Sequence, residues 1–183
     1  IQRRLRDEQP VRIELGAGDK RGVNRWLTID MTRNCDVFWD LRRGLPFPEA
    51  SVAAIYSSHF FEHLTYTEGQ RLLDDCRRVL TPGGSFSICV PNARLYLEAY
   101  FQAALPERRR LMGYQPADNH TTRIDLVNYI AYMDGHHKYM FDEENLVHLL
   151  TARGFQNARR RGFDAHLDLP EREYESIYAE AQR

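Results

Sequence analysis

The stretch R-I-E-L-G-A-G-D, residues 12–19, carries the pattern on which the fold of this chain depends. A short apolar strand pattern ends beside a carboxylate, and two glycines then follow with one residue between them. Glycine permits a tight turn, and it also lets the backbone come close to a ligand. The chain therefore leaves its first strand through a turn that either only reverses direction or passes beneath a bound molecule.

The bulk composition is that of one globular domain spanning 1–183, with 43% apolar and 28% charged residues. The formal net charge of −1 gives no overall field that would attract nucleic acid. Clusters of arginine are typical of solvated faces, so RNA binding is only an outside alternative. Three such clusters occur: Arg3–Arg4–Arg6, Arg108–Arg109–Arg110 and Arg159–Arg160–Arg161.

The location is expected to be cytoplasmic. No segment reaches the length of a membrane span, and no signal peptide is recognised, so we expect no membrane partner. Cys35, Cys76 and Cys89 are odd in number and lack metal-ligand spacing, which indicates reduced cysteines. The sequence leaves the oligomeric state open.

Apolar runs alternate with amphipathic segments, which predicts an α/β fold with a largely parallel sheet. Helices are predicted from a capping box at Thr67, over Arg94–Leu105 and after a cap at Asp142. Gln156–Arg161 and Ser176–Ala181 predict a closing pair of strands. Five strands are predicted earlier: Val11–Leu15, Trp26–Asp30, Asp36–Asp40, Ala53–Ser57 and Ser85–Val90.

Two connections have unusual lengths. Gly18 and Asp30 are only 12 positions apart, so a full crossover helix barely fits and we expect a turn or a stub of helix. Residues 92–141, by contrast, are long for a connection and rich in aromatic side chains, among them Tyr96, Tyr100, Phe101, Tyr129 and Tyr132. Such insertions are often functional, and we interpret this one as a substrate-covering insertion within the domain.

The glycine turn does not match the common phosphate-binding motifs. A dinucleotide fold needs G-x-G-x-x-G, but Arg21 stands at the third position, and Asp30 follows Gly16 too closely. The P-loop also fails, because no G-K-[ST] follows. Carboxylates at Glu14 and Asp19 would repel a pyrophosphate, whereas they would attract a cationic or zwitterionic ligand.

Five segments, in order and spacing, resemble the class I S-adenosylmethionine-dependent methyltransferases, and within them the branch that acts on sugars and natural products. They are E-L-G-A-G (14–18), T-I-D (28–30), D-L-R-R-G-L-P-F-P (40–48), I-Y-S-S-H-F-F-E-H-L (55–64) and L-T-P-G-G-S-F-S-I-C-V-P-N (80–92). The resemblance implies a Rossmann-like, doubly wound, mostly parallel seven-stranded sheet, with an antiparallel last strand and a helical insertion after strand five.

The resemblance also implies S-adenosyl-L-methionine as cofactor and a role for each matching residue. Gly16 and Gly18 would pass beneath its methionine part, and Glu14 would orient that loop toward the ammonium group. Asp30 would accept hydrogen bonds from both ribose hydroxyls, and Asp40 would accept one from the adenine amino group. Apolar walls would come from Met31 and Leu41, and the floor beside the sulfonium from Ser57, Ser58 and His59. Lys20 departs from the family pattern, in which a small residue is common.

Methyl transfer needs a base only where the acceptor must lose a proton. His59 follows the fourth strand, and His136 and His137 lie in the insertion, so these three histidines are the candidate bases. The run H-x-x-E-H at residues 59–63 also matches a zinc hydrolase motif, with Glu62 as base. That motif occurs by chance, and the methyltransferase family has E-H-L here, so we expect no metal.

Two functions of different class follow from these observations. The first is an enzyme that methylates an oxygen or nitrogen of a small molecule, such as a sugar or secondary metabolite. The second is a catalytically silent module that binds S-adenosylmethionine and acts through a partner. The histidines of the insertion favour the enzyme.

Overall fold

The computed structural model describes residues 11–23, 25–102, 111–114 and 122–183, and all structural statements below concern these. Seven strands, numbered in chain order, lie in one sheet. They are β1 (Val11–Leu15), β2 (Trp26–Asp30), β3 (Val37–Phe38), β4 (Val52–Ser58), β5 (Leu80–Pro91), β6 (Gln156–Arg160) and β7 (Ser176–Gln182).

The strand order is β3-β2-β1-β4-β5-β7-β6. The first five strands pair in parallel, whereas β7 runs antiparallel to both β5 and β6. This arrangement confirms the predicted Rossmann-like sheet with its antiparallel last strand. The order reverses beside β1, so the carboxyl ends of β1 and β4 flank the crevice where ligands of such sheets bind.

Four helices pack on or beside this sheet in the described part of the chain. They are α1 (Tyr66–Val79), α2 (Ala93–Gln102), α3 (Ile124–Tyr132) and α4 (Glu143–Ala152). The apolar faces of α1 and α4 join one large core with the inward residues of β1, β2, β4, β5 and β7. Burial of these apolar faces holds the strands, and therefore their carboxyl ends, in place relative to one another.

Local differences from the predicted elements have polar causes. The third strand is shorter than expected, because the Asp36 carboxylate turns to accept bonds from the amides of Gly22 and Thr28. Helix α1 begins from Thr65 instead of Thr67. Thr65 is extended, its hydroxyl accepts from the Glu68 amide, and the Glu68 carboxylate accepts from the Thr65 amide at 2.8 Å. These reciprocal bonds favour the earlier of the two capping patterns.

The link from β1 to β2 is short, as predicted. Residues 16–23 and 25 form no helix, and the amide of Gly16 donates to the carbonyl of Ile29 at 3.0 Å. The glycine turn is thereby bonded directly to the end of β2. The cofactor loop expected from the sequence therefore lies against Asp30, which ends that strand.

The insertion at 92–141 builds a small core of its own where the structure describes it. Tyr96 of α2 stacks on Tyr129 of α3, with ring centroids 5.9 Å apart, and both rings are buried. These two tyrosines are therefore core residues, as aromatic side chains at helical spacing usually are. The amides of Lys138 and Tyr139 both donate to the carbonyl of Glu62, at 2.8 and 3.2 Å, so the end of the insertion is fastened beside the tip of β4.

The third arginine cluster is paired with carboxylates. Arg159 meets Glu180 at 2.5 Å, and Arg160 pairs with Glu143. Arg161 forms two bonds with the buried Asp168. The clusters at 3–6 and 108–110 lie outside the described residues. Among the residues that are described, no helix combines the length and the apolar character needed to cross a membrane.

Candidate functional site

A cleft of about 130 Å³ opens beyond the tips of β2 and β4. Four residues assigned to the cofactor from the sequence line it: Asp30, Met31, Asp40 and Leu41. They come from the end of β2 and from the segment after β3, so the sheet brings separate stretches of sequence together. The other walls are residues that the sequence analysis did not assign: Trp39, Arg42, Phe60, His63, Leu64 and Lys138.

Asp30 braces the glycine turn and lines the cleft at the same time. Its Oδ2 accepts from the amide of Gly18 at 2.9 Å, and its Oδ1 accepts from the amide of Met31 at 2.6 Å. A carboxylate oxygen has more than one lone pair, so both oxygens can still accept from a ligand hydroxyl. The carboxylate thus has a structural role in addition to the expected ribose contact.

The two glycines of the turn differ in what surrounds them. Both have a positive φ, 66° at Gly16 and 67° at Gly18, which favours glycine. A Cβ on Gly16 would lie 2.2 Å from Cγ of Phe60, because that ring packs directly on the turn. A Cβ on Gly18 would meet nothing within 4 Å in the described chain. Phe60, which the sequence analysis overlooked, therefore accounts for Gly16, and the open side of the turn is at Gly18.

Asp40 begins the turn after β3, and Arg42 holds its carboxylate. The guanidinium donates to Oδ1 at 2.8 Å through Nε and to Oδ2 at 2.9 Å through Nη2. These bonds lower the pKa of the Asp40 carboxyl below its ordinary value. An adenine amino group would share this carboxylate with Arg42, while Met31 and Leu41 form the apolar sides of the same cleft.

Glu14 is already paired with a cation. Nζ of Lys20 lies 2.7 Å from Oε1 of Glu14, whose side chain is 13% exposed. The resemblance assigns Glu14 to the side of the cofactor ammonium, so that ammonium would compete with Lys20. Lys20, which stands where the family often has a small residue, thus pairs with the residue that the family pattern assigns to ligand binding, Glu14.

The serines at the end of β4 do not line the cleft, contrary to expectation. Ser57 is fully buried, and its hydroxyl donates to the carbonyl of Leu15 at 3.3 Å. Ser58 hydrogen-bonds with the side chains of Tyr56 and Cys89. Neither residue is part of the cleft lining, and the Ser57 hydroxyl is bonded inside the sheet.

His59 is not placed as a base, which corrects the first choice made from the sequence. It has a positive φ of 49°, and its ring turns inward, where Nε2 lies 2.8 Å from the hydroxyl of Ser176. Burial, together with the charge of Arg172, lowers the pKa of His59 to about 3. A buried ring outside the cleft lining cannot receive a proton from an acceptor there.

The two histidines of the insertion are also separated from the predicted role. His137 is buried, and its Nδ1 lies 2.9 Å from the carbonyl of Ile130; burial lowers its pKa. His136 is exposed and lies against the ring of Tyr114, with centroids 5.9 Å apart. Neither forms part of the cleft lining.

His63 is the histidine that lines the cleft, and sequence reasoning missed it as a functional residue. Its side chain is 39% exposed, its ring lies edge-on to His137, and Nε2 is 3.8 Å from Oε1 of the buried Glu62. Burial raises the pKa of Glu62 to about 8 and lowers that of His63. The motif E-H-L at 62–64 could have indicated His63, but we interpreted it from the resemblance as a structural motif.

Comparison with known proteins finds methyltransferases. The family described as "Methyltransferase domain" matches residues 30–88, about a third of the chain, which run from the last residue of β2 into β5 and include every cleft-lining residue except Lys138. A curated relative is 35% identical over 109 residues, covering 54% of this chain and 35% of its own length. It is the mitochondrial 2-methoxy-6-polyprenyl-1,4-benzoquinol methylase of Drosophila melanogaster. The chain thus aligns with about a third of that protein.

Solved methyltransferases share the fold at low identity. An S-adenosylmethionine-dependent methyltransferase from Archaeoglobus fulgidus has a TM-score of 0.58 and 15% identity, covering 96% of this chain and 87% of that one. Phosphoethanolamine N-methyltransferase 2 of Haemonchus contortus, in complex with S-adenosyl-L-methionine, has a TM-score of 0.56 and 12% identity, covering 100% and 51%.

The chain thus has the fold of class I S-adenosylmethionine-dependent methyltransferases, and its residues 30–88 match the methyltransferase family. Both findings support the enzyme class and the cofactor expected from the sequence. The residues present fit that cofactor, because a carboxylate pair, an open glycine turn and apolar walls converge on one cleft.

Proposed function

We propose that this protein moves a methyl group from S-adenosylmethionine to an oxygen or nitrogen of a small molecule. The observation that carries the proposal is the cleft itself, where Asp30, Met31, Asp40 and Leu41 meet although they were assigned separately from the sequence. The bound sulfonium supplies an activated methyl group, so the protein mainly has to align the acceptor and exclude water.

The residues of the cleft divide into a nucleoside end and an acceptor end. Asp30 would bind the ribose, and Met31 and Leu41 would enclose the adenine. His63 and Lys138 line the same cleft, and Lys138 belongs to the part of the insertion that is bonded to Glu62, so we take these two residues as the second end. We assign this end to the acceptor, because it joins the cofactor cleft to the insertion.

A small molecule suits this acceptor end. The cleft has a volume of about 130 Å³, and the end of the insertion is bonded beside the tip of β4. The Drosophila relative is named for a polyprenyl benzoquinol, which is itself a small molecule. We propose sugars and secondary metabolites, including phenols, as the first acceptors to test.

The same observations bear on location and on nucleic acid. Cys35, Cys76 and Cys89 are all free and buried, which supports a reducing, cytoplasmic location. The arginines at 159–161 are each paired with a carboxylate, so this cluster offers little free charge to RNA. We therefore keep RNA only as a control acceptor.

Calorimetry with S-adenosylhomocysteine tests the cofactor site, with two methionines as a matched pair. Met31 and Met140 are both exposed, at 53% and 39%, but only Met31 lines the cleft. Met31→Ala should weaken binding several-fold through lost apolar contact, about 1–2 kcal/mol, whereas Met140→Ala should not. Equal affinities in both variants would show that the cofactor does not bind in this cleft.

Release of S-adenosylhomocysteine against a panel of sugars, phenols and amines then tests transfer. Turnover on a small molecule supports the enzyme. Binding of the cofactor without turnover on any acceptor would instead support the second candidate, a silent cofactor-binding module that acts through a partner. No structural feature favours that alternative over the enzyme.

A further inference from the structure

We propose that Glu62, His63 and His137 bind a divalent, zinc-type metal ion beside the cleft, with one coordination position open toward it. One donor atom from each of these residues lies within 4.8 Å of the other two. This differs from the helical H-x-x-E-H arrangement considered from the sequence, because residues 61–63 form a single 3-10 turn. It also revises the expectation that the protein binds no metal.

The hydrogen bonds of the two histidines determine which ring nitrogen is available. Nδ1 of His63 lies 2.9 Å from the carbonyl oxygen of His136, and Nδ1 of His137 lies 2.9 Å from that of Ile130. A carbonyl only accepts, so both Nδ1 atoms carry the hydrogen, and each neutral ring keeps a lone pair on Nε2. Histidines that bind metals are usually anchored in this way through the second nitrogen.

A nitrogen lone pair of His59 also faces the carboxylate of Glu62. The hydroxyl of Ser176 donates to the carbonyl of Arg172 at 2.6 Å, so Nε2 of His59 must donate to that hydroxyl. Nδ1 of His59 is then bare. It lies 3.8 Å from Oε1 of Glu62, the same distance as Nε2 of His63.

The carboxylate of Glu62 therefore faces two imidazole nitrogens that carry no hydrogen, although its own backbone amide donates to it and the charge of Arg172 favours its anion. Its side chain is 3% exposed, and Oε2 has no hydrogen-bond partner within the described part of the chain. Such a buried carboxylate is costly unless a cation or a proton lies between it and the nitrogens. Two imidazoles and one carboxylate are the ligand set of catalytic zinc sites, whereas Mg²⁺ prefers oxygen ligands.

The spacing is close to what a metal requires. Two ligands at about 2.0–2.1 Å from a tetrahedral ion are about 3.3 Å apart. Oε1 of Glu62 and Nε2 of His63 are 3.8 Å apart, and all three donor atoms lie within 4.8 Å of one another, so side-chain rotations would have to draw them together by about 0.5–1.5 Å.

The ion would face the acceptor end of the cleft. His63 is the ligand that lines the cleft, and three protein ligands leave a fourth position for a small molecule. Resting on the proposed function, we assign this position to an acceptor hydroxyl, whose pKa the ion would lower so that its proton is lost to solvent. The resulting oxygen anion would form the new O–CH3 bond as the S–CH3 bond of the sulfonium breaks and S-adenosylhomocysteine leaves. The proposal therefore selects oxygen over nitrogen as the methylated atom.

Titration of metal-free protein with Co²⁺, followed by visible absorption, tests the site without any turnover. We expect one Co²⁺ per chain, and displacement by Zn²⁺ but not by Mg²⁺. Glu62→Gln and His63→Gln should each weaken binding at least about tenfold. His148→Gln is the matched control, since His148 is an exposed histidine on α4, and it should bind as the wild type does.

The outcomes separate the proposal from its alternatives. No stoichiometric Co²⁺ binding, or binding unchanged in His63→Gln, would overturn it and leave a proton on Glu62 as the counter-charge. Since Glu62 is buried, circular dichroism of both variants checks that they fold, and His63→Gln carries the test if Glu62→Gln does not. Added azide should shift the Co²⁺ spectrum; an unchanged spectrum would overturn the open position. Binding of S-adenosylhomocysteine to the metal-free protein reports separately on the proposed function.

Discussion

Replacement of Asp30 tests the cofactor assignment most directly, because this carboxylate serves two partners at once. Its oxygens accept from the amides of Gly18 and Met31, and they line the cleft. Loss of a charged hydrogen-bond partner costs about 1.5–3 kcal/mol, so Asp30→Ala should raise the Kd for S-adenosylhomocysteine by about 10- to 150-fold. Two amides also lose their acceptor, and the free energy of unfolding should fall by about 1–3 kcal/mol.

Calorimetry at 25 °C and urea unfolding measure these two effects separately. Asp30→Asn keeps one acceptor oxygen, so it should retain more stability than Asp30→Ala while still weakening the ribose contact. Asp19→Ala is the control, because Asp19 is an exposed carboxylate of the same loop that accepts a hydrogen bond from the side-chain amide of Asn34 at 2.8 Å. A folded Asp30→Ala variant that binds as tightly as Asp19→Ala would refute the ribose assignment.

Three further predictions concern the surroundings of the cleft. Lys20→Met frees Glu14, so S-adenosylhomocysteine should bind more tightly while adenosine, which has no ammonium, is unaffected; calorimetry with both ligands checks this. Gly18→Ala should cost about 1–2 kcal/mol of stability from its positive φ alone, and Gly16→Ala should cost more because of the ring packed on it, as urea unfolding would show. Asp168→Asn should cost about 3–5 kcal/mol at neutral pH, since it leaves a buried guanidinium unpaired. Burial raises the pKa of the Asp168 carboxyl, but the ion pair with Arg161 outweighs this effect, so the net shift of that pKa is downward. The carboxylate therefore stabilises the fold above a pH of about 4, and this stabilisation is lost as the pH falls. The free energy of unfolding of Asp168→Asn, measured from pH 7 to 3, should accordingly depend less on pH than that of the wild type.

The sheet was predictable because its determinants are local and periodic. Val11–Leu15 and Trp26–Asp30 match the observed strands, and the short link between them predicted a turn or a stub of helix in place of a full one. Asp142 caps α4 as expected, through a 2.7 Å bond from the amide of Asn145. Apolar spacing and capping side chains act over a few residues, so the sequence displays them directly.

The site was predictable only where residues end a strand and remain at its tip. Asp30 and Asp40 satisfy this condition, whereas His59 does not. Its left-handed backbone turns the ring inward, and non-glycine residues adopt that conformation too rarely for a sequence pattern to indicate it. The exchange of roles between His59 and His63 therefore follows from one backbone angle.

Contacts between distant segments were beyond the sequence for another reason. Phe60 packs on Gly16, and His137 reaches His63, but both pairs are formed only once β1, β4 and the insertion are assembled. The long polar partners were missed as well, since Lys20 and Arg42 look like ordinary surface cations until their carboxylates are located.

The two hydrogen bonds from the amides of Lys138 and Tyr139 to the carbonyl of Glu62 have a consequence for how the insertion can vary. They anchor the downstream end of the inserted segment beside the tip of β4, whereas α2 and α3 pack on each other in a small core of their own. Substitutions in the small core of α2 and α3 should therefore disturb the cleft less than substitutions at Lys138 or Tyr139. For engineering, this anchor is the natural boundary at which to exchange the inserted segment.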